Sequence, residues 1–547
     1  MLKEVNTVLY NAKVYLERDK FAEAVWTCGS EIKAVGTTQE VLDASEGIDA
    51  ERIDCGGRTI LPGLNDSHLH VSGVGAMMMQ ADLMNCRSEE EMIQRCKTFR
   101  EEHPEYCTQV LVGRGWNQEL FESHETPTRQ IIDQIATDIP VILIRVCGHV
   151  TIANTKAIEM SGYTADSPQP EGGSFLREED GYPNGIFNET AADKVRALIP
   201  RFSIEEIEMQ MCNAMNYAIE HGLTSVQSND ARPSIGDLNA FFKLMHRLHD
   251  TGKLPIRYRH QVTWEDPDEF LKALEDENGE YQSGAYDDML SLGPLKIIKD
   301  GGIGGRTCLM REDFLDDPGN RGVEVMDQDT INKLCAIADA HDIQVVAHVI
   351  GDRAADLILD SYEAVLRDGK NPLRHSLIHL QVSDTPMLER MAKSGILAQY
   401  QPIFLQYELH IVEKRVGKEL ASTSYAFGQA KDLGIHSSYG TDAPVEDCNP
   451  FPNIYCAVTR QDFTGQPEGG YAPHQKVDRY EAIDAYTVES AYCEFMEDRK
   501  GRIREGWLSD LIVLEQDIFT VPDIEIKDIQ VALTMVDGKI VYRRGTV

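Results

Sequence analysis

"LPGLNDSHLHV", residues 61–71, changes from an apolar run to a polar end within a few positions. The run reads as a short β-strand, and alternate residues of a strand point to the same side. His68 and His70 therefore present two imidazoles together, the beginning of a divalent metal site. Two ligands do not close such a site. The rest must come from other strands that end in the same place.

Seven more segments of this kind follow: "GLTSVQSND" (222–230), "PIRYRHQVTW" (255–264), "LGPLKIIKDGG" (292–302), "IQVVAHVIGD" (343–352), "HSLIHLQ" (375–381), "GILAQYQP" (395–402) and "IHSSYGTDAP" (435–444). Most are separated by helix-like stretches such as "MDQDTINKLCAIADAHD" (326–342) and "AADLILDSYEAVLRD" (354–368). Eight βα units predict an α/β fold, a TIM (β/α)8 barrel, over 58–496. Residues 75–220 are too long for one βα connection. They contain strand-like runs of their own, "QVLVGRGW" (109–116) and "VILIRVCGHV" (141–150), and are expected to form an insertion after the first barrel strand. Both chain ends have another texture, short β-rich pieces broken by Gly and polar turns, with Asp537-Gly538 as a hairpin signal. Residues 1–57 and 497–547 are expected to form one small β-sandwich.

Bulk composition narrows the function classes. The 90 acidic and 53 basic residues leave a formal net charge of −37. Such a field repels nucleic acid and anionic membrane surfaces, so neither is an expected partner. No run of about 18 apolar residues is present, and the N-terminal segment lacks a signal-peptide core. The 12 cysteines show no C-x-x-C spacing and are expected to be reduced thiols in the cytoplasm. A small-molecule substrate is the expected partner, and a homodimer would be an ordinary state for a soluble enzyme.

In a TIM barrel, chemistry collects at the C-terminal ends of the strands. His68 and His70 end the first segment, Lys296 lies in the fourth, His348 ends the fifth, His379 lies in the sixth and Asp442 ends the eighth. A single buried histidine is more often a satisfied core residue than a ligand. Several at one end of one barrel are not explained that way.

This order, His-x-His, Lys, His, His, Asp, resembles the amidohydrolase superfamily, and the surrounding phrases resemble its branch containing N-substituted formamide deformylases. Those phrases include "GRGWNQ" (113–118), "GHVTIANTKAI" (148–158), "PEGGSFLREEDGYPNGIFNE" (170–189), "LKIIKDGGIGGRT" (295–307), "AHVIGDRAAD" (347–356), "GTDAPVEDCNPF" (440–451) and "GRIREGWLSDLIVLEQD" (501–517). The resemblance implies a metal-dependent amidohydrolase that cleaves a non-peptide C–N bond of an amide, formamide or cyclic amide. It implies that His68, His70 and Asp442 hold one divalent ion, zinc by ligand type, and that His348 and His379 hold a second. Lys296 would bridge the two as an N6-carboxylated lysine, because an ammonium offers no lone pair. The other reading is an unmodified lysine paired with Asp442 or Asp300 beside a single ion. Lys299 falls on the opposite strand face. The implied chemistry is attack by a metal-activated hydroxide, with Asp442 as general base and then acid.

Trp116, His149, Asn154 and Arg306 lie in the matching phrases and are expected to contact substrate. Asp66 either orients an imidazole or serves as a strand-end turn residue. Cys147 stands where relatives usually carry an acidic residue, which bears on substrate range. Two other functions are weighed. A one-metal heterocycle deaminase would place a Glu after the fifth-strand His, where this chain has Asp352. A non-catalytic small-molecule-binding regulator would show an eroded ligand set, and none of the six positions is eroded.

Overall fold

Eight parallel strands neighbour one another in chain order: β1 (Leu64–Leu69), β2 (Leu223–Ala231), β3 (Arg257–Thr263), β4 (Leu290–Ile298), β5 (Val345–Val349), β6 (Ser376–His379), β7 (Leu397–Tyr400) and β8 (Ser437–Tyr439). They are drawn from a computed structural model that describes residues 5–145, 148–276 and 287–545. All eight coincide with the segments read from the sequence. The strands are buried nearly throughout, as parallel strands flanked by helices must be. The helices form as their punctuation dictates. Gln328–Ala340 starts where the Asp327 side chain accepts from the Thr330 N–H, and Thr385–Ser394 is capped by Asp384 and stopped by left-handed Gly395.

The last strand returns to the first. The Asp442 N–H donates to the His68 carbonyl at 2.8 Å, and the His70 N–H donates to the Ala443 carbonyl at 2.7 Å. Gly440 permits this approach, because a Cβ there would lie 2.6 Å from the His68 nitrogen. Asp66 fastens the same seam, accepting from the His68 N–H at 3.0 Å and from the Thr441 hydroxyl at 2.6 Å. Of the two roles open to Asp66, the structure therefore shows a backbone clasp; among the described residues its carboxylate hydrogen-bonds to no imidazole.

The barrel unit comprises Met1–Val71 and Met215–Val547. It includes a four-stranded and a six-stranded sheet from the chain ends. In the larger one, Thr59–Pro62 pairs with Leu511–Val513, so the terminal sheet extends past residue 57 before the chain enters β1 at Leu64. The predicted hairpin joins Val531–Val536 to Lys539–Arg543, with Asp537 and Gly538 both at positive φ. Ser72–Ala214 is a second unit. Its six-stranded sheet has the order 173–177, 183–189, 150–153, 141–145, 111–116, 81–82, with apolar clusters that include Trp116 and Leu143 in one and Ile142 and Phe187 in another. Cys147 lies outside the described residues. The 11 described cysteines are free thiols. No helix among the described residues is long and apolar enough to cross a membrane.

One packing residue carries a pH consequence. His260 on β3 is fully buried against Phe241, Phe242 and Tyr258, and neither ring nitrogen has a partner. Burial pushes its imidazole from 6.5 down to about 3. The unfolded chain takes up that proton below about pH 6.5 while the folded chain does not, so stability is lost as pH falls from there toward 3. At pH 5 this amounts to about 2 kcal/mol. In His260→Phe, the loss of stability between pH 7.5 and pH 5 should be smaller than wild type by that amount. Urea unfolding at both pH values measures it; equal losses in the two proteins would refute it.

Candidate metal centre

The strand ends bring His68, His379 and Asp442 together, with one ligand atom from each lying within 4.8 Å of the others. His70 joins them, its Nε2 standing 3.3 Å from Asp442 Oδ1, the same separation as His68 Nε2. The His348 ring centroid is 4.4 Å from that of His379. His379 and Asp442 both adopt positive φ, 75° and 55°. Such backbone strain in non-glycine residues is stored where a side chain must be aimed.

The hydrogen bonds on the far side of each ring set its tautomer. Gln261 donates from its Nε2 to the Ser67 carbonyl at 3.0 Å, which turns its Oε1 toward His68 Nδ1 at 2.6 Å. Gln401 is oriented likewise by the Gln399 carbonyl and meets His379 Nδ1 at 2.6 Å. His70 Nδ1 faces the Asn229 carbonyl at 2.9 Å. Carbonyl and amide oxygens only accept. All three imidazoles therefore carry their proton on Nδ1 and leave the Nε2 lone pair facing inward. For His68 and His70 that lone pair faces a carboxylate oxygen, a repulsive pairing unless a proton or cation lies between. His348 is reversed: its Nε2 faces the Gly301 carbonyl at 3.2 Å, leaving Nδ1 as its free lone pair.

Burial keeps these rings neutral. It drives His68 down to about 3 and His348 to about 4, and the Lys296 charge adds to both shifts. Burial, with His348 beside it, holds His379 well below its usual range. Burial alone would raise Asp442, but His68 and His70, whose Nε2 atoms face its Oδ1, and the nearby imidazoles hold it well below the ordinary carboxylate value. Lys296 is 2 % exposed and, among the described residues, its Nζ has no hydrogen-bond partner. It pairs with neither Asp442 nor Asp300. The Asp300 carboxylate instead accepts the Leu309, Ile350 and Gly351 N–H groups. Burial lowers the Lys296 ammonium to about 7, with Asp442 opposing. Lys299 points away, onto Glu324 and the Met326 carbonyl. These residues fit a divalent ion: inward lone pairs, a charged carboxylate, and a buried amine with no other partner.

The expected substrate residues fare differently. Trp116 is buried in its own unit and donates to the Leu143 carbonyl at 3.1 Å. Asn154 caps Thr155–Ser161, accepting from Ala157 and Val141 and donating to Ala136 and Ile139. In this structure the polar atoms of both side chains are taken up by these partners within their own unit. His149 is exposed and pairs with Glu189 at 3.0 Å. Arg306 ends the glycine-rich loop after β4 and grips Asp316 through two bonds, 3.1 and 3.0 Å. Asp352 opens the helix Asp352–Ala364 and accepts from the Arg311 N–H. Gln261 and Gln401 were missed. Gln261 sits among other polar residues of β3, and Gln401 follows β7, which itself contains Gln399, so neither stands out in the local pattern.

Comparison with known proteins agrees with this geometry. A family model described as the amidohydrolase family matches residues 51–542. The chain is 31% identical to YtcJ of Bacillus subtilis (strain 168) over 530 residues, covering 97% of this chain and 98% of that one. It is 26% identical to the N-substituted formamide deformylase of Arthrobacter pascens over 564 residues, 99% of both chains. A metal-dependent hydrolase from Pyrococcus furiosus of solved structure superposes with a TM-score of 0.76 at 25% identity, covering 94% of this chain and all of that one.

Proposed function

The chain belongs to the amidohydrolase family, and from that premise we propose that it hydrolyses a non-peptide C–N bond of a small amide, formamide or cyclic amide. The observation that carries this reading is the convergence of His68, His379 and Asp442 at one end of the barrel, with the unpartnered Lys296 amine buried in the same unit. The end-to-end likeness to a formamide deformylase supports the choice of bond.

His68 and His70 through Nε2, with Asp442 Oδ1, would hold one zinc ion. His379 Nε2 and His348 Nδ1 would serve a second. Such ions supply Lewis acidity, which polarises a carbonyl and acidifies water. Asp442 does the proton work: its Oδ1 faces two imidazoles, so Oδ2 accepts the proton of the attacking water and delivers it to the departing nitrogen. Gln261, Gln401 and the Asn229 carbonyl hold the rings in the tautomer this requires. A lysine amine whose charge is weakened by burial is the form that adds CO2, with loss of one proton, to give a carbamate. So modified, Lys296 would join the residues that hold the metal.

Chelator treatment should abolish hydrolysis of a formamide and lactam panel, and zinc should restore it. Mass-spectrometric metal analysis should find about two equivalents per chain with the carbamate and about one without it. Activity undiminished in metal-free protein would sink the reading.

A further inference from the structure

Tyr400 and Gln401 are successive residues at the end of β7 and point to opposite sides. Gln401 meets His379 of the candidate metal centre. Tyr400 faces outward, its ring 5.0 Å from Phe427, and its hydroxyl is buried without a hydrogen-bond partner. The guanidinium of Arg460 lies 5.2 Å from the same Phe427 ring.

Arg460 is unusual for a buried cation. It is fully buried and, among the described residues, no carboxylate pairs with it. Its Nε donates to the Tyr471 carbonyl at 2.6 Å and its Nη1 to the Tyr425 carbonyl at 2.7 Å. Its Nη2 is buried and donates to nothing. Carbonyls and ring faces ease a guanidinium but do not neutralise it, and buried charges are ordinarily paired. Burial depresses Arg460 to about 10, and the groups that oppose this are neutral tyrosines and a thiol. Arg460 ends the helix Pro450–Thr459 in the left-handed conformation, with φ of 54°.

We propose that Arg460 Nη2 and the Tyr400 hydroxyl form a buried binding site for a halide-sized monovalent anion, behind β7 and separate from the metal centre. One guanidinium calls for one negative charge. Two unpartnered donors around a shared aromatic ring, with no solvent exposure, suit a small and readily dehydrated ion such as chloride or bromide. A polyanion would leave excess charge buried.

Bromide is the probe. Crystals of the full-length protein grown in sodium bromide should show an anomalous peak within hydrogen-bond reach of Arg460 Nη2. In solution, the Tm should be at least about 2 °C higher in sodium bromide than in sodium gluconate at equal concentration, because a ligand that binds only the folded state stabilises it. The difference should vanish in Arg460→Gln. Should that variant fail to fold, Tyr400→Phe removes only a hydroxyl and should reduce the difference. Equal Tm values in the two salts, or a peak accompanied by no halide-specific Tm shift, would mean no site or an adventitious ion only, and either overturns the proposal. The readouts are independent of hydrolysis, so they stand or fall apart from the metal reading.

Discussion

Asp442→Asn is expected to lower kcat by about 10^3-fold or more while the Tm stays within a few degrees of wild type. The substitution is nearly isosteric, and Asn tolerates the left-handed φ of 55° that Asp442 adopts. The Asp442 N–H bond to the His68 carbonyl is made by the backbone and survives, so the barrel seam stays closed. What disappears is an ionised oxygen able to accept and return a proton. KM should change much less than kcat, because the lost interaction belongs to the proton transfer rather than to substrate binding. Metal content must be measured on the same sample, since Oδ1 also faces His68 and His70. A variant that retains its metal and works within tenfold of wild type would show that Asp442 is not the base.

Lys296→Met should have an opposite pair of effects: activity falls by about 10^2-fold or more, while metal-free protein becomes at least as stable as wild type. The buried Nζ has no hydrogen-bond partner among the described residues, so the wild-type chain bears a desolvation cost that Asp442 offsets only in part and that an unbranched thioether does not bear. Methionine follows the same path through the barrel with little change in volume. Loss of function with gained stability is the signature of a group retained for chemistry. The measurements are kcat/KM and the Tm of chelator-treated protein at pH 7.5. If the variant were destabilised by several kcal/mol, Lys296 would be a structural residue with partners that the geometry does not show. Retained activity would instead remove the bridging role.

The barrel was legible because its determinants are local. Apolar runs of strand length, capped helices and turn signals recur in order, and each acts within a few residues of itself. The imidazole positions were legible too, since a histidine at the end of an apolar strand conflicts with the run before it. The hairpin at Asp537-Gly538 was readable from two residues alone. Around residue 57 the sequence is ambiguous, because "TILPG" satisfies a terminal strand as well as a barrel strand, and its pairing with Leu511–Val513 is a tertiary fact.

Other features belong to the tertiary structure. The tautomer of each imidazole depends on Gln261, Gln401 and Asn229, which arrive from other strands. Asp66 became a seam clasp because Thr441 lies 375 positions away in the chain and beside it in space. Trp116 and Asn154 sit in phrases that resemble site motifs, yet partners within their own unit take up their polar atoms. Lys296 and Arg460 show the limit most plainly. A sequence shows that a cation is present, but whether it has a partner depends on which groups the whole fold brings within hydrogen-bond distance. Local chemistry is written along the chain, whereas the pairing of buried charges is settled only when distant segments meet.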